Sequence, residues 1–467
     1  MILSVASAYG QVADSLSHYL QIAAQNNPGL NADFLAYKAS LQKIPQAGAY
    51  QDPELEMGFF LKPMDIIGGR QIAEFRLMQM FPWFGTKKAA QTEAMHMARM
   101  SYEKFRETRD NLYLDIYTQW YILCRLQQQL MNNRENKALL TQLEELAIRK
   151  FVSPSGSSPA GYALPPPVPV TQVSTTPASG GGMAGMSSMG GSTAPEMSSE
   201  GGMTSMGSST SGMSDVLRIQ LEMVEIDSTI ESLLSEIRAE KAKFNALLNR
   251  PANSEVQIPE SFEQTPFLFD EALAMDKIEN QNPMLGMINE EGLAYKAKSE
   301  MDKKMSYPMF GVGIQYMLNK KTDDPMFGMS DMNGKDMLMP MVSISIPLYR
   351  NKYKAQQRES KLWWQVSREK YDNTRNVLES ELYKTKHLLD DAARKAALYK
   401  KQEELAKTTY NLIVQEFVAG KNDLANVIQV QRQLLGYQLK EAEAIAAYNT
   451  MVASIRKLIS FKKDTEQ

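Results

Sequence analysis

The sequence predicts a mainly α-helical protein with a small β part, in which long helical hairpins are duplicated. Two segments contain neither glycine nor proline: 68 residues between Gly85 and Pro154, and 72 between Pro347 and Gly420. Short segments of alternating polarity precede each one, and the same motifs recur in the same order. Each half is therefore predicted to contain a first helix, two strands, a very long helix and a returning helix.

The repeat is visible in matched motifs. QNNP at 25–28 recurs as QNP at 281–283, and FPWFGTKKAAQ at 81–91 is matched by IPLYRNKYKAQ at 346–356. The predicted domains are a first repeat over 11–250, a linker over 251–267 and a second repeat over 268–467.

The long segments predict helices that reach roughly 100 Å at 1.5 Å per residue. Apolar residues from Phe105 to Leu130 recur at steps of three and four, with Lys, Glu, Gln and Arg on the other faces. This pattern is typical of a packed hairpin or coiled-coil seam. The first helices are predicted near 13–47 and 268–305, and the returning helices near 214–249 and 422–460.

The extended segments lie near 54–81 and 309–349, and they alternate in polarity. Glu74 and Arg76 alternate with Phe75 and Leu77, and Val342 and Ile344 with Ser343 and Ser345. Two hairpins are too few for an independent sheet in water, although their length suits membrane-spanning strands. Four strands from each of three copies would close a 12-stranded transmembrane barrel without exposed edges.

Composition excludes several classes of function. Lys and Arg number 51 against 54 Asp and Glu, so there is no global signal for nucleic acid. One cysteine, Cys124, and three histidines rule out an internal disulfide and argue against a zinc cluster. No catalytic constellation or phosphate-binding loop occurs, so no enzyme is predicted. Residues 1–10 are short and apolar, which suggests the remnant of a signal peptide.

The duplicated plan resembles that of the TolC-like outer-membrane efflux channels, with FPWFGTKK at 81–88 and the motif F-V-x-G…D-V-L around the helical turns. The form of the first motif at 79–87 is similar to that of the heavy-metal, CusC-like branch. The resemblance implies a homotrimer embedded in outer-membrane lipid, whose helices form a tunnel across the periplasm. It also implies a periplasmic adaptor and an inner-membrane pump, for example of the RND type, as partners.

The resemblance also assigns the hairpin turns to the periplasmic entrance, where adaptors dock. Some relatives narrow this entrance with a ring of aspartates, but the aligned positions here are Asn426 and Gln429, which puts such a gate in doubt. Asp215 and Asp423 remain nearby, although an aspartate at a helix start is commonly a cap. The tip residues assigned in this way are Phe151, Val152, Asp215, Phe417, Val418, Gly420, Asp423, Asn426 and Gln429.

The first tip contains an insert of about 55 residues, because Phe151 and Leu217 are 66 residues apart whereas Phe417 and Ile428 are 11 apart. The insert, within 152–213, is proline-rich and then rich in Gly, Ser and Met, a composition that predicts disorder. Thioether sulfur selects soft ions such as Cu(I) and, by the same logic, Ag(I). The candidate ligands in the insert are Met183, Met186, Met189, Met197, Met203, Met206 and Met213.

A second methionine cluster lies in PMFGMSDMNGKDMLMPM at 325–341, and its loop residues Met326, Met329 and Met332 are further candidate ligands. Two alternatives stay open. Methionine is frequent throughout the chain, 31 of 467 residues, so the insert can be a low-complexity linker. Strand methionines can also face lipid. No cofactor is predicted other than Cu(I) or Ag(I) as a transported ion.

The sequence therefore predicts an outer-membrane channel subunit that passively conducts a substrate, with Cu(I), Ag(I) or another heavy-metal ion as the candidate. One alternative is the same channel exporting drugs or other organic compounds. The other is a periplasmic coiled-coil adaptor or structural protein. Adaptors, however, normally carry one hairpin per chain.

Deletion of residues 183–213 tests the role of the insert. If its thioethers contact the transported ion, the deletion should lower copper or silver tolerance while assembly stays intact. Growth on graded metal concentrations measures this effect, and unchanged tolerance would contradict it.

Overall fold

The computed structural model describes residues 16–62, 65–66, 69–152, 211–259, 262–323, 331 and 333–461. The suggested signal remnant at 1–10 lies outside these residues. So does nearly all of the insert within 152–213, together with Met326, Met329 and Met332 of the second cluster.

Both long helices are confirmed: α3 has 67 residues and α7 has 69. Among the described residues, no helix is long and apolar enough to cross a membrane. The helices are α1 (Leu16–Asn26), α2 (Pro28–Gly48), α3 (Thr86–Val152), α4 (Ser211–Leu247), α5 (Glu271–Gln281), α6 (Pro283–Met305), α7 (Arg350–Val418) and α8 (Leu424–Leu458).

The first helix of each half, expected to be continuous, is instead broken at an Asn-Pro step. Proline cannot donate a backbone hydrogen bond, but it fits the first position of a helix. Asn27 and Asn282 therefore become the N-caps of α2 and α6, and their side-chain oxygens accept from Leu30 N at 3.1 Å and Met284 N at 2.9 Å.

The same two asparagines also hold the returning helices. Asn27 Nδ2 donates to the Leu247 carbonyl at 3.0 Å, and Asn282 Nδ2 donates to the Leu458 carbonyl at 2.9 Å. Leu247 and Leu458 are the last residues of α4 and α8, so each amide satisfies an otherwise unpaired helix-end carbonyl. One side chain thus fixes two helix ends in each half.

One antiparallel sheet has the order β1-β3-β4-β5, with β2 paired beside β3. The two halves meet along β3 and β4, where Leu77 pairs with Ile314. Strands β1 and β5 are the outer strands of this order. The strands are β1 (Glu54–Phe59), β2 (Asp65–Ile66), β3 (Gly69–Phe81), β4 (Met309–Lys320) and β5 (Met337–Ser345).

The helices are packed by several separate apolar clusters along their length. One surrounds the fully buried Tyr19, which contacts Trp120 and Phe244 with ring centroids 5.5 and 5.1 Å away. Cys124 belongs to this cluster, as expected for a small apolar residue in a helix, and burial raises the pKa of its thiol to about 12. Another cluster lies at the far end of the long helices.

Asn282→Ala should destabilise the fold by about 1–3 kcal/mol, because it removes a cap and leaves the buried Leu458 carbonyl unpaired. Asn282 is only 4% exposed, so water cannot readily replace the lost bond. Denaturant unfolding of the purified protein in detergent measures the effect. Asn280→Ala is the control, since exposed Asn280 bonds to Asp276 within its own helix. Equal midpoints for the two variants would contradict the assignment.

Candidate functional site

One face of the sheet is apolar and exposed to solvent. The register aligns Leu55, Leu77 and Ile314 across three strands on this face. Val342 is 76% exposed, although it lies at the centre of β5. A contiguous apolar surface of this kind marks contact with a membrane or a partner. Its exposed residues are Leu55, Met57, Phe59, Leu77, Phe81, Val312, Ile314, Leu338, Val342 and Ile344.

The opposite face carries charged and amide side chains together with methionines. Arg76 pairs with Glu56 across the sheet at 2.9 Å, and Gln315 Nε2 donates to Glu74 Oε2 at 3.0 Å. The expected alternation of Glu74 and Arg76 with Phe75 and Leu77 is therefore confirmed, as is that of Val342 and Ile344 with Ser343 and Ser345. The two faces of the sheet consequently differ in polarity.

The described part of the second methionine cluster lies on the polar face. Met339 pairs with Gln315, and Met337 and Met341 are two residues to either side of it on β5. These strand methionines therefore do not share the apolar surface. Of the candidate ligands in the insert, only Met213 lies in the described residues, where it is exposed near the start of α4.

Aromatic residues mark the junction between the sheet and the helices. Trp83 stacks on Tyr307 and Phe310, with ring centroids 5.2 and 5.8 Å away. Gly85 then turns the chain into α3 with a φ of +79°, and Lys304 Nζ donates to its carbonyl at 3.2 Å. The FPWFG motif thus builds a junction at which phenylalanine and tryptophan side chains gather.

The two helical hairpins share one packed tip. Phe417 is 3% exposed and packs with residues of α3, α4 and α8. From α3, Lys150 Nζ donates to the Phe417 carbonyl at 3.1 Å and lies 4.1 Å from the centroid of its ring. Gly420 forms the turn after α7 with a φ of +73°. Phe417 therefore lies in the interior of the tip and is not part of its exposed surface.

Most of the other assigned tip residues are at the surface. Val152 is 72% exposed at the end of α3, and Val418 is exposed at the end of α7. Asp423, Asn426 and Gln429 are exposed around the start of α8. Phe151 lies in the last turn of α3, and its side chain is outside the described residues.

The tip brings two carboxylates together. Burial and the Asp423 carboxylate raise the pKa of Asp215, while Arg218 and Lys150 oppose this shift. Asp423 occupies the N-cap position of α8, but its side chain makes no capping hydrogen bond. Its expected role as a cap is therefore absent, and the residue stays exposed beside Asp215.

Unpaired apolar residues also follow the helices. Leu398, Leu405 and Leu412 are exposed on α7 at steps of seven, which places them on one side of the helix. Leu217, Leu221 and Val224 are exposed on α4. Both stripes lie on the part of the hairpins nearer the tip.

A carboxylate pair between α7 and α8 was missed from the sequence. Burial and a hydrogen bond to Glu403 raise the pKa of Glu441 to about 8. Glu403 also accepts from Gln438 at 3.1 Å and pairs with Lys407 at 3.2 Å. Lys400 and Lys407 partly oppose the shift in Glu441. Each glutamate lies in a charged helix, so only the packing of α7 on α8 reveals the pair.

Glu441→Gln should flatten the pH dependence of stability. Folded Glu441 holds its proton to about pH 8, whereas the ordinary value is 4.5, so the native protein loses stability as pH rises through this window. The variant should therefore unfold at a higher temperature than the wild type at pH 8, with little difference at pH 4.5. Melting curves in detergent measure this, with exposed Glu443→Gln as the control. Parallel curves for wild type and Glu441→Gln would refute it.

The chain is similar to several solved outer-membrane channels. VceC from Vibrio cholerae has a TM-score of 0.67 at 11% identity, over 95% of this chain and 96% of that one. CusC has a TM-score of 0.67 at 12% identity, over 96% and 92%, and MtrE from Neisseria gonorrhoeae 0.66 at 10%, over 97% and 91%. No protein-family model and no curated protein sequence matches the chain. The protein therefore has the fold of the TolC-like outer-membrane channels, with long helices and a small antiparallel sheet.

Proposed function

We propose that this chain is the outer-membrane channel subunit of a tripartite efflux system, conducting its substrate passively from the periplasm to the outside. The exposed apolar face of the sheet carries the proposal. Strands β3, β4 and β5 have 13, 12 and 9 residues, a length suited to a bilayer, whereas β1 has 6. The opposite face carries polar groups, as transmembrane strands require. The similarity to VceC, CusC and MtrE extends over at least 95% of the chain, which includes both the strands and the helices.

Trimerisation explains the unpaired surfaces. Strands β1 and β5 are the edges of the sheet, and pairing β5 of one copy with β1 of the next would close a ring of twelve strands from three copies. The exposed stripes on α4 and α7 would then pack between copies along the tunnel. Trp83, Phe84 and Tyr349 would lie at the membrane interface, where aromatic side chains are favoured.

The partners follow from the location of the tip. A channel that ends in the periplasm needs an adaptor and an energised inner-membrane pump, since the chain carries no nucleotide-binding motif. Val152, Val418, Asn426 and Gln429 offer an exposed surface of apolar and amide groups for the adaptor. The paired carboxylates Asp215 and Asp423 would lie at the entrance and favour cations there.

For the substrate, we propose Cu(I) or Ag(I). The methionine-rich part of the insert supplies thioether ligands without a competing role in a core, and three copies would gather them at one entrance. Export of organic compounds is the alternative, and a knockout strain sensitive to drugs but not to metals would favour it. A periplasmic adaptor is disfavoured, because that function provides no use for the apolar sheet face.

Val342→Lys tests the membrane location. A lysine on the lipid face costs about 2–4 kcal/mol near the bilayer centre, so the variant should be depleted from the outer-membrane fraction and form few channels in planar bilayers. Ser345→Lys, an exposed position on the opposite face of the same strand, is the control and should insert normally. If Val342→Lys inserts and conducts like the wild type, or if the wild-type protein is a water-soluble monomer, the proposed function fails.

A further inference from the structure

Methionine alternates with other residues in three of the strands. Met78 and Met80 are two residues apart on β3, and Met337, Met339 and Met341 continue the same step on β5. Residues two apart on a strand share a face. The positions of Met309 and Met317 on β4 differ by an even number, so these two side chains also share one face.

The register brings all these methionines to the same face of the sheet. Met78 pairs with Gly313, which pairs with Met341 on the other side. Met80 pairs with Gly311, which pairs with Ser343. Nearer the loops, Met339 pairs with Gln315, which pairs with Arg76. Met337 pairs with Met317, which pairs with Glu74. We name this group the thioether face; its members are Met78, Met80, Met309, Met317, Met337, Met339 and Met341.

Three soft or polar atoms converge above Gly311. Ser343 Oγ lies 3.2 Å from Met78 Sδ and 3.7 Å from Met80 Sδ. A Cβ added to Gly311 would lie 2.2 Å from Ser343 Oγ, 2.6 Å from Met80 Sδ and 3.3 Å from Met78 Sδ. The volume above Gly311 is therefore occupied by two sulfurs and a hydroxyl, and a side chain at this position would displace them.

The alternative explanations for these methionines are packing and contact with lipid. Contact with lipid does not apply, because the apolar face is the other one, where Met57 is 58% exposed. Packing accounts for Gly311 and Gly313, because the Met78 and Met80 side chains lie over them. Packing does not account for the choice of methionine, since leucine has a similar volume and supplies no sulfur. Thioethers need no deprotonation, and they are ligands that select soft monovalent ions.

We propose that Met78 and Met80, with Ser343 above Gly311, form a binding site for a soft monovalent ion, Cu(I) or Ag(I), on the interior wall of the channel. The inference rests on the proposed function, because closure of the sheet by three copies places this face inside the ring. The remaining members of the thioether face extend the same chemistry from the helical junction toward the loops. An ion can then pass between weak neutral ligands along the strands.

Silver nitrate titration of the full-length trimer in detergent tests the site. The double variant Met78→Leu/Met80→Leu keeps side-chain volume but removes both sulfurs. It should bind fewer Ag(I) ions per chain, or bind the affected ions about tenfold more weakly, because thioether sulfur is the ligand that selects such ions. X-ray absorption at the silver edge should show a matching loss of sulfur neighbours. Met57→Leu on the apolar face is the control and should leave both readouts unchanged, while the insert contributes equally to every protein.

Gly311→Ala provides an independent variant, since it keeps both methionines and displaces their sulfurs. It should reproduce the loss of Ag(I). Wild-type binding by Met78→Leu/Met80→Leu would overturn the site, and so would equal losses in Met57→Leu. Channel conductance in planar bilayers distinguishes failure of the binding site from failure of the proposed function. Normal conductance without Ag(I) binding at this face refutes the site alone, whereas failure of the wild type to form channels refutes the proposed function.

Discussion

The two-faced sheet is the constraint on which the architecture depends. An exposed apolar surface over four strands is unfavourable in water, and each unpaired strand edge presents unsatisfied backbone groups. In the proposed trimer, a bilayer would cover the apolar surface and neighbouring copies would pair the strand edges. The same argument applies to the long helices, because their leucine stripes are exposed among the described residues of one chain. A single copy therefore leaves these surfaces and strand edges uncovered, although each of its hairpins is well packed.

The junction between sheet and helices links these two requirements. Trp83, Tyr307 and Phe310 stack where the strands end, and Gly85 permits the sharp turn from β3 into α3. Aromatic side chains tolerate both hydrocarbon and water at such a boundary. The Asn27 and Asn282 contacts then hold the helices in the same way in each half. The polypeptide thus passes from the strands to the helices through side chains suited to each environment.

Much of this fold follows from local sequence patterns, and the remainder requires tertiary packing. The lengths of α3 and α7 are predictable because glycine and proline are absent, and the faces of β3 and β5 are predictable because side chains alternate. The breaks at Asn27 and Asn282 were missed, although Asn-Pro is a known helix start, because the apolar pattern continues across them. The missing capping hydrogen bond of Asp423 and the contact of Glu403 with Glu441 depend on which helices pack together, and the sequence does not show this.

The methionines of the candidate site were also only partly predictable from the sequence. Their spacing on β3 and β5 is visible in the sequence, and it would have identified a shared face on each strand. Their register against Gly311 and Gly313 depends on how β3, β4 and β5 pair, which spacing alone does not determine. The loop and insert methionines remain predictions from composition, whereas the strand methionines have a geometry.

The shared tip has a mechanical consequence. Phe417 is buried against α3 and bonded by Lys150, so the ends of the two hairpins within one copy are packed together. Widening the lower aperture by prising one hairpin from the other would expose that buried ring and break its contacts. In the proposed trimer, we therefore expect the entrance to open by movement of whole subunits relative to one another, with the packed helix ends of each copy kept intact.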